Sequence, residues 1–123
     1  MFESDANQSG KHMICDVKEI ANIELLNNVI EIKNILNGIC DKYNYTILNK
    51  IEHVFEPQGF TILYLLSESH ISIHTFPEKK YFALDIYTCR DYKNNDIYYE
   101  IYDNLISIFQ AKREAPLIID RMF

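Results

Sequence analysis

The residues with the most chemical potential are Ser69, His74 and Cys89. A Glu68-Ser69 step opens an alternating stretch, His74 follows five residues later, and Cys89 ends a second apolar stretch twenty residues after the serine. A serine hydroxyl can attack the carbonyl that precedes it, turning the amide into an ester. Loss of the α-proton then eliminates the ester and cuts the chain, and hydrolysis of the resulting dehydroalanine leaves a pyruvoyl group and ammonia. Such a rearrangement needs an oxyanion donor and a proton carrier. His74 suits the second task, because imidazole exchanges a proton near neutral pH. Thr61 can supply a hydroxyl close to the scissile carbonyl, and the Cys89 thiol can donate the proton that a decarboxylation needs at its end. Taken singly, these residues read as turn serines, a hydrogen-bonded sheet histidine and a buried thiol. His53 and His70 read as structural or surface groups, and Cys15 and Cys40 as packing residues.

The elements that must position them follow from periodicity. A short strand is expected over 11–17. A helix runs from an N-cap at Asn22 to about Cys40, with Leu25, Leu26, Val29, Ile32, Leu36 and Ile39 at amphipathic spacing. Gly38 sits near its expected end. Four strands follow at about 44–55, 60–66, 70–76 and 81–89, the first pair separated by Pro57-Gln58-Gly59. A second helix is expected near 95–110, then a strand near 112–120 confined to an edge or bulge by Pro116. Residues 1–9 are polar and read as a flexible arm, leaving 10–123 as a single domain. The fold class is α+β: an antiparallel sheet with two helices on one face. Alternation puts His70, Ser72, His74 and Phe76 on one side of their strand and Ile71 and Ile73 on the other. Tyr81, Asp85, Tyr87 and Cys89 likewise oppose Phe82, Leu84 and Ile86. A polar and aromatic face bearing reactive groups suggests sheet-on-sheet dimerisation around a site.

Composition narrows the function classes. The chain has 123 residues, 48% hydrophobic and 24% charged, with nine Tyr, seven Phe and no Trp. Its net charge is −6 and its three arginines are scattered, which argues against nucleic-acid binding. The three cysteines form no metal-binding pattern, and no membrane-length apolar run or signal peptide is visible. A cytoplasmic protein with reduced thiols is the expectation.

The combined pattern resembles the bacterial-type S-adenosylmethionine decarboxylases, which are pyruvoyl-dependent and self-processing. The resemblance rests on Gly10-Lys11-His12, Phe55-Glu56-Pro57-Gln58-Gly59, the run from Glu68 to Glu78, the segment Tyr81 to Cys89, and Ala111-Lys112-Arg113. It implies cleavage between Glu68 and Ser69 into residues 1–68 and 69–123. Ser69 would become the pyruvoyl group that forms a Schiff base with the substrate's α-amine, with no pyridoxal phosphate and no metal. By the same resemblance His74 and Thr61 assist processing and Cys89 is the catalytic proton donor. Phe55 stacks on adenine, Glu78 binds the ribose hydroxyls, and Asp16 stands where the family has a glutamate. The product would be decarboxylated S-adenosylmethionine, the aminopropyl donor for spermidine synthesis, made by a homodimer with a four-layer α/β/β/α sandwich. Phe76 departs from the family's usual Trp, and Arg90 from its usual Gly. Two other readings fit the same residues: a pyruvoyl-dependent decarboxylase of a free amino acid such as arginine or ornithine, and a non-catalytic regulatory paralogue.

Overall fold

The computed structural model describes residues 7–123. Six strands form one antiparallel sheet: β1 (Gln8–Val17), β2 (Ile47–Val54), β3 (Phe60–Leu66), β4 (Ser69–Phe76), β5 (Tyr81–Thr88) and β6 (Leu117–Met122), ordered β2-β3-β4-β5-β1-β6. Two helices, α1 (Val29–Tyr43) and α2 (Asp96–Phe109), interrupt the strand sequence. Of the arm expected over 1–9, residues 1–6 lie outside the described residues, while Gln8 and Ser9 already belong to β1.

Strand alternation sorts the side chains as anticipated. Phe60, Ile62, Tyr64 and Leu66 of β3, Ile71 and Ile73 of β4, and Phe82, Leu84 and Ile86 of β5 are all buried on the inner face. They pack in one cluster with Ile32, Leu36 and Ile39 of α1 and Tyr98, Ile101, Tyr102, Leu105 and Phe109 of α2. Burying each such side chain contributes about 1.5–3 kcal/mol, which is enough to fix which face the helices cover. Among the described residues, no helix is long and apolar enough to cross a membrane.

Several boundaries differ from expectation. The first helix does not start at Asn22, whose side chain instead bonds the Ile108 carbonyl at the end of α2. A short 3-10 turn (Ile23–Asn27) comes first, and Asn28 caps α1 by accepting from the Glu31 amide at 3.1 Å. α1 continues past Gly38 to Asn44, which adopts the left-handed conformation that ends it. The last strand begins only after Pro116, which therefore lies outside it, and the strand is at the edge of the sheet.

The outer face is more aliphatic than the alternation of β4 and β5 alone implies. Ile51, Leu63, Leu65, Leu117 and Ile119 join the polar and aromatic groups there, and Ile51, Leu65 and Leu117 are each more than half exposed. The reason is that β3, β2 and β6 contribute branched residues to both sides.

Candidate active site

The β3–β4 connection is a two-residue turn, Ser67-Glu68, closed by the Leu66–Ser69 pair. Glu68 occupies left-handed backbone space at φ 61°, a conformation that costs a side-chain-bearing residue about 1–2 kcal/mol. Its carbonyl is the one that precedes Ser69. The Cys89 thiol donates to that oxygen at 2.7 Å. Glu68, Ser69 and Cys89 line one cavity of about 290 Å³ together with Tyr45, Thr46, Leu66, Ser67, Arg90 and Asp91. A strained peptide, a nucleophilic hydroxyl on its C-terminal side and a proton donor on its carbonyl meet there, so the residues fit the formation of a pyruvoyl group from Ser69.

Cys89 is held in place from three directions. β1 passes so close that a Cβ on Gly10 would sit 2.1 Å from the Thr88 carbonyl oxygen, so only glycine fits. Thr88 bonds the buried Tyr98 hydroxyl at 2.6 Å, which ties the end of β5 to α2. Arg90 then donates to the carbonyls of Tyr43 and Asn44 at the end of α1. Burial in the core pushes the Cys15 thiol of β1 up to about 12 and the Cys40 thiol of α1 up to about 11, in keeping with packing roles.

His74 and Thr61 lie elsewhere. They are cross-strand partners, with Thr61 Oγ1 2.8 Å from His74 Nδ1. This pair shares a second cavity, about 260 Å³, with Phe55, Gln58, Thr75, Phe76 and Glu78. The turn before it depends on Gly59 at φ 85°, where a Cβ would meet the Thr75 carbonyl at 2.8 Å. Five steps of strand separate Ser69 from His74, about 17 Å at the usual rise. Within one protomer, then, neither Thr61 nor His74 reaches the scissile carbonyl, and the donor that does is Cys89. Ser69 also has the inward parity of Ile71 and Ile73, whereas His74 faces outward.

Asp16 lines neither cavity. It accepts from the Tyr81 hydroxyl at 2.7 Å and belongs to the same cross-strand row as His74, with Ala83 between them. Phe76 stacks on Tyr81 with ring centroids 5.5 Å apart, and Phe55 meets His53 edge-on at 4.7 Å. His53 therefore supports the aromatic that the second cavity presents.

Gly10, Tyr98 and Arg90 were not singled out as site residues in the sequence. The glycine signal was present in Gly10-Lys11-His12, but its cause is a neighbour 78 positions away, Thr88, which only the strand order reveals.

Residues 11–121 match the S-adenosylmethionine decarboxylase family. An S-adenosylmethionine decarboxylase proenzyme of Prochlorococcus marinus (strain MIT 9313) is 43% identical over 82 residues, 67% of this chain and 65% of that protein. The chain thus spans just under two thirds of that relative's length. A second proenzyme of the same name, from P. marinus (strain MIT 9211), is 36% identical over 115 residues, 89% of this chain and 93% of its own length. The crystal structure of the adenosylmethionine decarboxylase from Aquifex aeolicus VF5 superposes with a TM-score of 0.80 at 30% identity, covering 96% of this chain and 94% of that one. With the strained Glu68-Ser69 turn and its thiol donor in view, the chain belongs to the S-adenosylmethionine decarboxylase family.

Proposed function

We propose that this chain is the proenzyme of an S-adenosylmethionine decarboxylase that cuts itself between Glu68 and Ser69 and supplies decarboxylated S-adenosylmethionine for spermidine synthesis. The observation that carries the reading is the Cys89 thiol on the Glu68 carbonyl, beside the Ser69 hydroxyl. As Ser69 Oγ adds to that carbonyl, negative charge develops on the oxygen and the thiol steadies it. Once formed, a pyruvoyl carbonyl supplies an electron sink that lets an α-amino acid lose carbon dioxide. Cys89 is then placed to return a proton to the substrate carbon, in the same cavity.

The second cavity suits the other end of the substrate. Phe55 offers an exposed ring for stacking on adenine, and Glu78 offers a carboxylate for the ribose hydroxyls. A free amino acid would leave both without a partner, which favours the adenosyl substrate over arginine or ornithine.

Two copies are needed to bring these parts together. The uncovered face exposes Ile51, Leu63, Leu65, Leu117 and Ile119, and sheets pack face to face about 10 Å apart. A two-fold axis crossing β4 near Ser72 lays the Ser69 end of one strand over the His74 end of its partner. Each site then draws Ser69 and Cys89 from one protomer and Thr61, His74, Phe55 and Glu78 from the other, inside a four-layer sandwich. His74, steadied by Thr61, carries the proton that processing must move. The three free thiols accord with a cytoplasmic setting.

Co-expression of Ser69→Ala with His74→Ala tests this. Each variant alone stays at 14.6 kDa, whereas the mixed pair cuts the intact Ser69 chain and releases carbon dioxide from S-adenosylmethionine. Absence of any cutting in the wild-type chain refutes self-processing. Failure of the mixed pair, with wild type cutting, refutes the shared site.

A further inference from the structure

Arg90 joins two parts of the molecule that cleavage pulls apart. Its Nη1 donates to the Tyr43 carbonyl at 3.1 Å, its Nη2 donates to the Asn44 carbonyl, and its guanidinium carbon lies 5.0 Å from the centre of the Tyr45 ring. These carbonyls end α1, where backbone acceptors lack helical partners and partial negative charge collects. Arg90 also lines the cavity that holds Glu68, Ser69 and Cys89, and among the nine described residues that line it Arg90 is the only cation. Glu68 and Asp91 are the lining's carboxylates.

Self-cleavage, on which this inference rests, changes that charge balance. Ser69 Oγ bonds to the Glu68 carbonyl carbon and the peptide C–N bond breaks, giving an ester. Departure of the Ser69 α-proton breaks the ester's Cβ–O bond, leaving a free α-carboxylate on Glu68 and dehydroalanine at 69. One water then displaces the nitrogen as ammonia. No oxidant or reductant enters. Glu68 now bears two carboxylates where it bore one, beside a cavity that must admit the carboxylate of an incoming amino acid. Like charges brought into a partly desolvated site repel strongly.

We propose that Arg90 captures the new α-carboxylate of Glu68 and so parks the cut end of residues 1–68 against the C-terminus of α1, clear of residue 69. A guanidinium has five N–H donors in a planar fork, so two bonds to helix-end carbonyls leave donors for a carboxylate. Release from the left-handed turn frees Glu68 to move, and the two residues already share one cavity wall. Arg90 is a positioning residue in this scheme: it touches the severed chain end rather than the substrate.

The test measures thermal midpoints of Arg90→Gln in two backgrounds, the cut protein and the uncuttable Ser69→Ala chain. Glutamine keeps a donor for the helix-end carbonyls and drops the charge. Against the matching parent, the midpoint should fall by about 4 °C more in the cut background than in the uncut one. The extra loss should fade in about 1 M salt. In the cut protein the KM for S-adenosylmethionine should rise about threefold to tenfold, a larger factor than any fall in kcat, and Arg90→Lys should recover most of the KM effect. Equal midpoint shifts in both backgrounds would reduce Arg90 to a helix-end residue and overturn the proposal while leaving self-cleavage intact. An uncut wild-type chain overturns both together. Should Arg90→Gln fail to fold, carboxypeptidase release of Glu68 from the cut wild type decides: release that quickens with salt supports capture, and release indifferent to salt overturns it.

Discussion

The two ends of the β3–β4 hairpin are built differently. At the turn, Glu68 sits in left-handed space, its carbonyl held by a thiol at 2.7 Å and its neighbours open to a cavity. At the far end, Thr61 and His74 are cross-strand partners bonded at 2.8 Å, and Thr75 accepts from the Phe60 amide at 3.0 Å. Glu68 lies in the turn, just outside the ladder that begins at the Leu66–Ser69 pair. Thr61, His74 and Thr75 lie on rungs of the sheet. The hairpin thus has a strained end and a rigid one, and in the proposed function a second copy brings the two together.

Ser69→Ala should break the comparison most severely. It removes the nucleophile at the reactive end, so cutting and carbon dioxide release fall below detection while circular dichroism stays native. Activity from the uncut variant would show that the turn is only a turn. Leu65→Glu strikes the face between the ends without touching either. A buried charge there should yield a monomer by sedimentation and slow cutting at least about a hundredfold, because an unpaired buried charge is costly. A monomer that cuts at the wild-type rate would place all processing groups within one protomer.

Cys89→Ala should sharpen the difference by degree. Loss of one oxyanion donor slows cutting about ten- to a hundredfold, read by intact mass against time, and the matured fraction should also decarboxylate poorly. Unchanged cutting with lost decarboxylation would confine the thiol to the later proton transfer. The smallest effect is expected at His12, on the outer face between the two ends. Burial first, then His70 and Arg121, hold its imidazole below the ordinary 6.5, against the opposing pull of Asp85. Among the described residues its Nε2 has no hydrogen-bond partner, with an Asp85 carboxylate oxygen 3.9 Å away. The unfolded chain therefore binds a proton more readily than the folded one. Stability from this group is complete above about pH 6.5 and is lost as pH falls through the lower folded value. His12→Gln should make the thermal midpoint fall less steeply on acidification over that window; an unchanged slope would remove His12 as a contributor.

Much of this arrangement was legible in residue order, and the exceptions have physical causes. Alternation in Ile71–Ser72–Ile73–His74 settles which face His74 takes, because side-chain direction in a strand is a local property. The start of α1 was misplaced because Asn22 and Asn28 are equally good caps in sequence; the choice fell to Asn28 once the Asn22 side chain was taken by the Ile108 carbonyl, 86 positions away. Spacing suggests one small site for Ser69, His74 and Cys89; Ser69 and Cys89 do line one cavity, but His74 lies in another, and Thr61 pairs with it rather than with the scissile carbonyl. Spacing along the chain reports neither the antiparallel register nor the 17 Å that a strand of five steps imposes. Gly10 and Arg90 owe their roles to β1 lying beside β5 and to α1 ending over the turn, both consequences of long-range topology.

The exposed aliphatic patch on the uncovered side of the sheet has a kinetic consequence. If maturation waits for two copies to meet, a newly made chain is silent by itself, and the birth rate of working enzyme grows as the square of its abundance while copies are scarce. Scarcity would then hold back polyamine synthesis more sharply than gene dosage alone, with no separate inhibitor required.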